Sequence, residues 1–241
     1  MIRDAAAVLL DQGYRPAREE DLNPDPHVTG PALIGAVLAR GPVAVVITET
    51  EGYLGDADPA SHAWKGPTKR NAVMFGPPGR LYTYAMHGHT CCNVVCSAEG
   101  EARAVLVRAG RVILGVEEAT ARRGDVPEHR LARGPGCLTR ALGVTMANSG
   151  ARLLEASSEV RLLFPETTTA LPILAGPRVG VPRAENEPLR FMLDGDASVS
   201  AFRPGRGVKP TLKPVPLGEL SGPPHRLDGV FDRPDRQEEA P

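Results

Sequence analysis

Val43-Ala44-Val45-Val46-Ile47-Thr48-Glu49-Thr50-Glu51-Gly52-Tyr53 is the stretch on which the reading of this chain turns. Its dense β-branched and apolar content reads as a strand. With a side-chain period of two, Val45, Ile47, Glu49, Glu51 and Tyr53 fall on one face. An apolar face that runs on into two carboxylates and a phenol predicts a cleft at the end of the strand. Taken alone, Glu49 and Glu51 have a bland reading as solvated strand residues. A sugar-hydrolysing carboxylate pair is disfavoured, because neighbours on one face of one strand do not oppose each other across a substrate.

Working outward, the spacing predicts a short Ala/Leu-rich helix over 4–12 that stops at Gly13, then an acidic loop over 16–27. Leu33, Ile34, Val37 and Leu38 recur at helical spacing over 28–40, with Pro31 near the first turn. Residues 52–79 form a long loop rich in Gly, Pro, Asn and Asp, of the kind that carries function in compact domains. Strands are expected at 81–86, 93–97 and 102–109, a helix at 116–123, and a helix opening at Gly134-Pro135-Gly136 and running to Leu142. Shorter strands are expected around 152–154, 159–163 and 178–181. Strands outnumber helices and are spaced like antiparallel neighbours. The expected fold class is α+β, a single compact domain over 1–202 with a curved, largely antiparallel sheet and flanking short helices. Residues 203–241, with eight prolines in 39 positions, read as a loosely ordered tail.

Composition narrows the function. No apolar run approaches the roughly 20 residues that span a bilayer. The acidic Asp4 follows at once on Met1-Ile2-Arg3, so no leader is expected at that end. Four cysteines in 241 residues are too few for a secreted disulfide framework, so a reduced, cytoplasmic setting is expected. The formal net charge of −1 argues against a nucleic-acid partner only as an average. Residues 1–61 carry a net −6, residues 62–140 a net +6 and the remainder −1. A basic middle is what phosphates sense within a Debye length of about 8 Å. The aromatics are equally uneven: Tyr53, Trp64, Phe75, Tyr82 and Tyr84 lie within 32 residues. A core cluster is the bland reading. A tyrosine-lined pocket for a flat ligand stays open, because a buried hydroxyl needs a partner.

The ordered set Glu49-Thr50-Glu51-Gly52-Tyr53, Asp58-Pro59-Ala60-Ser61-His62-Ala63, Arg70-Asn71, Met74-Phe75-Gly76-Pro77-Pro78-Gly79 and Leu81-Tyr82-Thr83-Tyr84 resembles the alkyladenine (3-methyladenine) DNA glycosylase family. Asn93-Val94-Val95, Ala104 to Ala109, Gly134-Pro135-Gly136, Ala141-Leu142-Gly143, Arg178-Val179-Gly180 and Pro188-Leu189-Arg190-Phe191 extend the match in the same order over about 28–200. The resemblance implies a monofunctional enzyme, a monomer without cofactor or membrane partner, that acts on double-stranded DNA containing damaged purines. It flips out an alkylated purine, with deaminated purines as an additional substrate class, and hydrolyses the N-glycosidic bond, leaving an abasic site. It implies Glu51 as the carboxylate that activates water and Arg108 as its partner. Tyr53, His62 and Tyr84 are implied as the rings around the flipped base, and Asn93 as the group that discriminates against the exocyclic amine of guanine.

This chain departs from the family pattern at several points. His87 stands where a Tyr usually enters the duplex, and the stretch from His87 to Asn93 is one residue shorter than usual. Gly52 stands where Ala is more common, and is expected to add backbone freedom beside the catalytic residue. Cys137 replaces a common Lys and so removes a phosphate contact. Two other classes remain open. One is a damage-binding relative that does not cut, against which the retained Glu51 and Arg108 argue. The other is a metal site from His87, His89, Cys91, Cys92 and Cys96, disfavoured because the spacing is not that of a CxxC pair and strand alternation splits the ligands between faces. No metal is expected.

Overall fold

The computed structural model describes residues 4–167 and 169–220. Its elements are α1 (Ala5–Leu10), β1 (Tyr14–Pro16), α2 (Pro26–Ala32), β2 (Val37–Arg40), β3 (Val43–Tyr53), β4 (Leu81–Met86), β5 (His89–Val95), β6 (Ala104–Leu114), α3 (Val116–Arg123), α4 (Pro135–Leu142), β7 (Arg161–Pro165), β8 (Ile173–Gly176), β9 (Arg190–Leu193) and β10 (Val215–Pro216). The strands form one antiparallel sheet in the order β1-β7-β2-β3-β6-β5-β4. A branch leaves β3 through β9 to β8 and β10. The sheet is not closed, and with its short helices the chain is α+β.

β3 is the hub. Its first half pairs with β2, its second half with β9, and β6 runs along its whole length. Of the three register shifts between β3 and β6, two fall side by side at Ile47/Glu49 and Glu49/Thr50, one adding a residue on β3 and the next adding one on β6. Such paired bulges exchange the faces of both strands. Val45 and Ile47 therefore pack in the large core with Val105, Val107, Leu138 and Leu142. Glu51 lies opposite Leu106, which belongs to a second, smaller core with Tyr82 and Tyr84 and with Tyr53 against it. The carboxylates thus do not continue the face of Val45 and Ile47, as strict alternation predicts. The bulge turns them to the other side of the sheet.

The other local expectations are met or corrected for identifiable reasons. α2 ends at Ala32, and residues 37–40 form β2 rather than more helix. Gly35, at φ 89°, breaks the helix. Val37, Leu38 and Ala39 then enter the sheet between β3 and β7, where a strand buried on both faces has no period that tells it from helix. Residues 152–154 make only an isolated bridge from Arg152 to Arg80. Residues 178–181 are no strand either; β8 and β9 lie to either side of them in the chain. β5 starts at His89, and β6 continues to Leu114. Of the Pro-rich stretch 203–241, residues 221–241 lie outside the described residues. The described part adds β10 to β8 and packs Leu217 and Leu220 against the large core.

Candidate active site

The bulged half of β3, the facing half of β6, the β4–β5 hairpin and the loop after β8 surround a cleft of about 470 Å³. Its lining includes Tyr53, His62, Tyr82, Tyr84, Asn93 and Arg108, with Met86 and His87 on the hairpin. These residues span 56 positions of sequence and meet because β4, β5, β6 and β3 are successive neighbours in the sheet.

Glu51 is fully buried. Its Oε1 accepts from the Val179 amide at 2.6 Å. Its Oε2 accepts from the Tyr53 hydroxyl at 3.1 Å and from Arg108 Nη1 at 3.3 Å. A carboxylate offers about four acceptor positions, so one is left over for a water. Arg108 also reaches back: its Nε lies 3.2 Å from Glu49 Oε1 and 3.3 Å from Ser200 Oγ. Burial lowers the Arg108 pKa, and Glu51 and Glu49 more than offset it, leaving the guanidinium above its ordinary value.

Tyr53 is held from behind. Arg178 lies over its ring at 4.9 Å from the centroid. Arg178 is itself buried, donates to the Gly52 carbonyl at 3.0 Å and forks onto both oxygens of Asp58. Burial, and secondarily the negative charge of Glu51, push the Tyr53 phenol well above its ordinary pKa. It stays protonated and can donate to Glu51. Burial likewise raises Tyr84.

His62 meets Tyr84 edge-on, with ring centroids 4.5 Å apart at 86°. Its Nδ1 is 3.2 Å from the Tyr82 hydroxyl. Tyr82 is buried in the small core and turns its hydroxyl toward His62. Burial, then the nearby Arg70, lower the His62 pKa, so its ring is uncharged at neutral pH. Asn93 is buried, and its Nδ2 donates to the Tyr82 carbonyl at 3.1 Å, which fixes the amide.

His87 and Gly88 are the two-residue turn between β4 and β5, at φ 49° and 77°. Both positive values match the tight hairpin turn that suits strand twist. The short spacing from His87 to Asn93 is thus a tight hairpin, and it leaves His87 exposed at the tip. The start of α4 abuts this hairpin. A side chain at Gly136 would sit 2.7 Å from His89 Cβ, and Thr139 Oγ1 donates to the Thr90 carbonyl at 2.6 Å. Cys137, the next residue of α4 after Gly136, has Arg123 Nη2 3.1 Å from its sulfur.

Gly52 is glycine for want of space, not for backbone freedom. It is absent from the positive-φ glycines, yet a Cβ there would lie 2.8 Å from Pro26 Cβ and 2.9 Å from Leu189 Cδ2. On β5, Cys91 packs in the small core beside Tyr84 and Cys92 in the large one. Among the described residues no group of three or more His, Cys, Asp or Glu could hold a metal ion. No helix among them is long and apolar enough to cross a membrane.

Residues 20–197 match the family model for methylpurine-DNA glycosylase. The chain belongs to that family. The methylpurine-DNA glycosylase match covers every site residue named above except Ser200. A Mycobacterium tuberculosis (strain ATCC 25618 / H37Rv) protein named "Putative 3-methyladenine DNA glycosylase" is 46% identical over 201 residues, 78% of this chain and 98% of that one. Proteins of the same name from Corynebacterium jeikeium (strain K411) and Cutibacterium acnes are 46% and 44% identical over 209 and 195 residues. These alignments cover 83% and 76% of this chain, and 98% of each relative.

Arg178, Val179, Arg190 and Ser200 are parts of the site that residue-type reasoning did not assign. Arg178-Val179 and Arg190 lie in runs that carry the family resemblance, which was the available signal. For Ser200 there was none.

Proposed function

We propose that this chain is a DNA glycosylase, a hydrolase of N-glycosyl bonds, that removes alkylated purines from duplex DNA. The observation that carries the proposal is Glu51: a buried carboxylate with three donors and one acceptor position to spare, bonded to Tyr53, Arg108 and Val179, which line an aromatic cleft. Family membership and the names of the relatives support the class of reaction.

The damaged nucleotide turns out of the helix, and its base enters between Tyr53 and the His62–Tyr84 pair. An alkylated purine is cationic, so an electron-rich ring face gains roughly 0.5–2 kcal/mol over a neutral base. An uncharged His62 preserves that preference, since an imidazolium would repel the cation. Water at the remaining position on Glu51 loses its proton to the carboxylate as its oxygen bonds to C1′. The glycosidic C–N bond breaks, and its electron pair leaves with the base, which a cationic purine accepts without further protonation. The ionised Glu51 also faces the positive charge that develops on the sugar. Arg108 holds Glu51 in place, and the fixed amide of Asn93 presents a surface to the base edge, against which a guanine amine is unfavourable. Deaminated purines lack that amine and fall within the proposed range; such a neutral base leaves with the bonding pair as its anion and takes up a proton from solvent. His87 fills the gap in the duplex from the hairpin tip. Residues 1–202 act as the catalytic unit, as a monomer, and the product is an intact abasic site, since no lysine stands among these residues as a Schiff-base nucleophile.

The test is incubation with duplexes containing a methylated adenine or hypoxanthine, followed by alkali cleavage. Release of base by the wild type and a loss of about 10²–10⁴-fold in Glu51→Gln are expected. Binding to the damaged duplex without base release would overturn the enzymatic reading in favour of a damage-binding protein.

A further inference from the structure

Glu49, the other carboxylate of the bulge, takes no part in the reaction described above, yet it is fully buried beside the residues that do. Its Oε1 accepts from Arg108 Nε at 3.2 Å, Arg190 Nε at 2.7 Å and Ser200 Oγ at 3.0 Å. Its Oε2 accepts from the Ser200 amide at 2.7 Å. Glu49 thus accepts four protein donors against three on Glu51, three of them crowded on Oε1 and one on Oε2. That load of protein donors on both oxygens suits an anchor for Arg108 rather than a second base.

We propose that Glu49 is a positioning residue, which clamps the Nε edge of Arg108 so that the guanidinium reaches Glu51 through Nη1 alone. The inference rests on the reading of Glu51 as the base and Arg108 as its partner. A guanidinium and a carboxylate left to themselves pair fork to fork, through two parallel bonds. Arg178 does so with Asp58 in this same molecule. Arg108 does not: its contact with Glu51 is single and 3.3 Å long. A full fork would take up the acceptor position that a water needs. Glu49 prevents it by dividing the guanidinium between two carboxylates.

The charge pattern agrees. Glu49, Glu51, Arg108 and Arg190 form a neutral, four-membered buried cluster, with Arg190 opposite Glu51 in the β9 register. Buried ion clusters are seldom more stable than apolar side chains of the same volume, so stability alone is a poor reason for one here. Arg190 serves the same end from the far side. It holds Glu49 Oε1 and the Ser200 carbonyl at 2.8 Å, and so anchors the clamp to the segment after β9.

The experiment is single-turnover excision from a methylated-adenine duplex by the wild type, Glu49→Gln, Arg108→Gln and the double variant. Glu49→Gln is expected to lower the rate constant at saturating enzyme about tenfold, with the half-saturating concentration moving less than about twofold. In the Arg108→Gln background the same change is expected to cost less than about threefold, because the residue it acts through is gone. A purely structural role would lower the amplitude or the melting temperature, and its rate effect would multiply unchanged onto Arg108→Gln. Either that result or a wild-type rate constant in Glu49→Gln overturns the proposal. Should Glu49→Gln not fold, Glu49→Asp keeps the charge, loses the reach, and is expected to show the same non-additivity with Arg108. Glu51→Gln separates the two readings. If it excises at the wild-type rate, the proposed function fails. If it is inactive while Glu49→Gln is normal, only the clamp fails.

Discussion

Gly52→Ala adds one methyl group between Glu51 and Tyr53, and the structure sets its cost. The new Cβ would lie 2.8 Å from Pro26 Cβ, 2.9 Å from Leu189 Cδ2 and 3.4 Å from the Pro26 carbonyl oxygen. Carbon atoms in contact sit about 3.5–4.0 Å apart, so both walls are short by more than about half an ångström. Neither wall gives easily. Pro26 is a rigid ring buried at the first position of α2, and Leu189 is fully buried, with its carbonyl bound to the Gly52 amide at 2.7 Å. Overpacking of this kind costs about 1–3 kcal/mol. The entropy removed from the unfolded chain returns about 0.4–1 kcal/mol, since the backbone here suits any residue. The mid-range values leave a net destabilisation of about 1.3 kcal/mol, or a fall in Tm of about 3–5 °C at this chain length. Relief by moving β3 displaces Glu51 from the Val179 amide, so the excision rate should fall with stability. Urea unfolding and thermal melting read the first effect, and single-turnover excision the second. A Tm at or above that of the wild type, with full activity, would refute the steric account of this glycine.

Asp58→Asn leaves the buried Arg178 guanidinium without its counter-charge, and a loss of about 3–5 kcal/mol in urea unfolding is expected; a loss under about 1 kcal/mol would contradict the buried pairing. An NMR titration should place the His62 midpoint below the ordinary 6.5, with Arg70→Gln moving it up, because Arg70 disfavours the imidazolium. The sign for stability follows. A depressed folded value means that the contribution of His62 is present above the unfolded pKa and is lost as pH falls through the folded one, so stability that rises through this range on acidification by way of His62 would contradict it. Burial pushes Cys92 and Cys96 up to about 12 and also raises Cys91, whereas Cys137 is half-exposed. At pH 8 the native protein should therefore release one equivalent in a thiol assay, lost in Cys137→Ser; rapid release of more would place another cysteine at the surface.

The strands that carry the site were legible because each has a marked composition: β3, β4 and β6 begin within two residues of where the pattern puts them. The catalytic candidates were legible through the ordered motifs, not through any one residue. Three things were hidden. Alternation along β3 could not reveal the bulge pair, since a register shift belongs to the pairing of two strands rather than to either sequence. Residues 37–40 look the same as helix and as a strand buried on both faces. Arg178, Arg190 and Ser200 act through contacts across 92 to 151 positions of chain, as in the bonds of Ser200 to Arg108 and Glu49, and no local pattern encodes such a meeting. The reason for Gly52 was also out of reach: a glycine needed for space cannot be told from one needed for φ until its neighbours are in place.

The central claim is that Glu51 activates the water that cleaves the glycosidic bond. The most direct test is the single-turnover release of a methylated adenine from duplex DNA by the wild type and by Glu51→Gln, with binding to the same duplex measured in parallel. Expected are release by the wild type with an alkali-labile abasic product, a loss of about 10²–10⁴-fold in the variant, and duplex binding retained. Release by Glu51→Gln at the wild-type rate would contradict the claim.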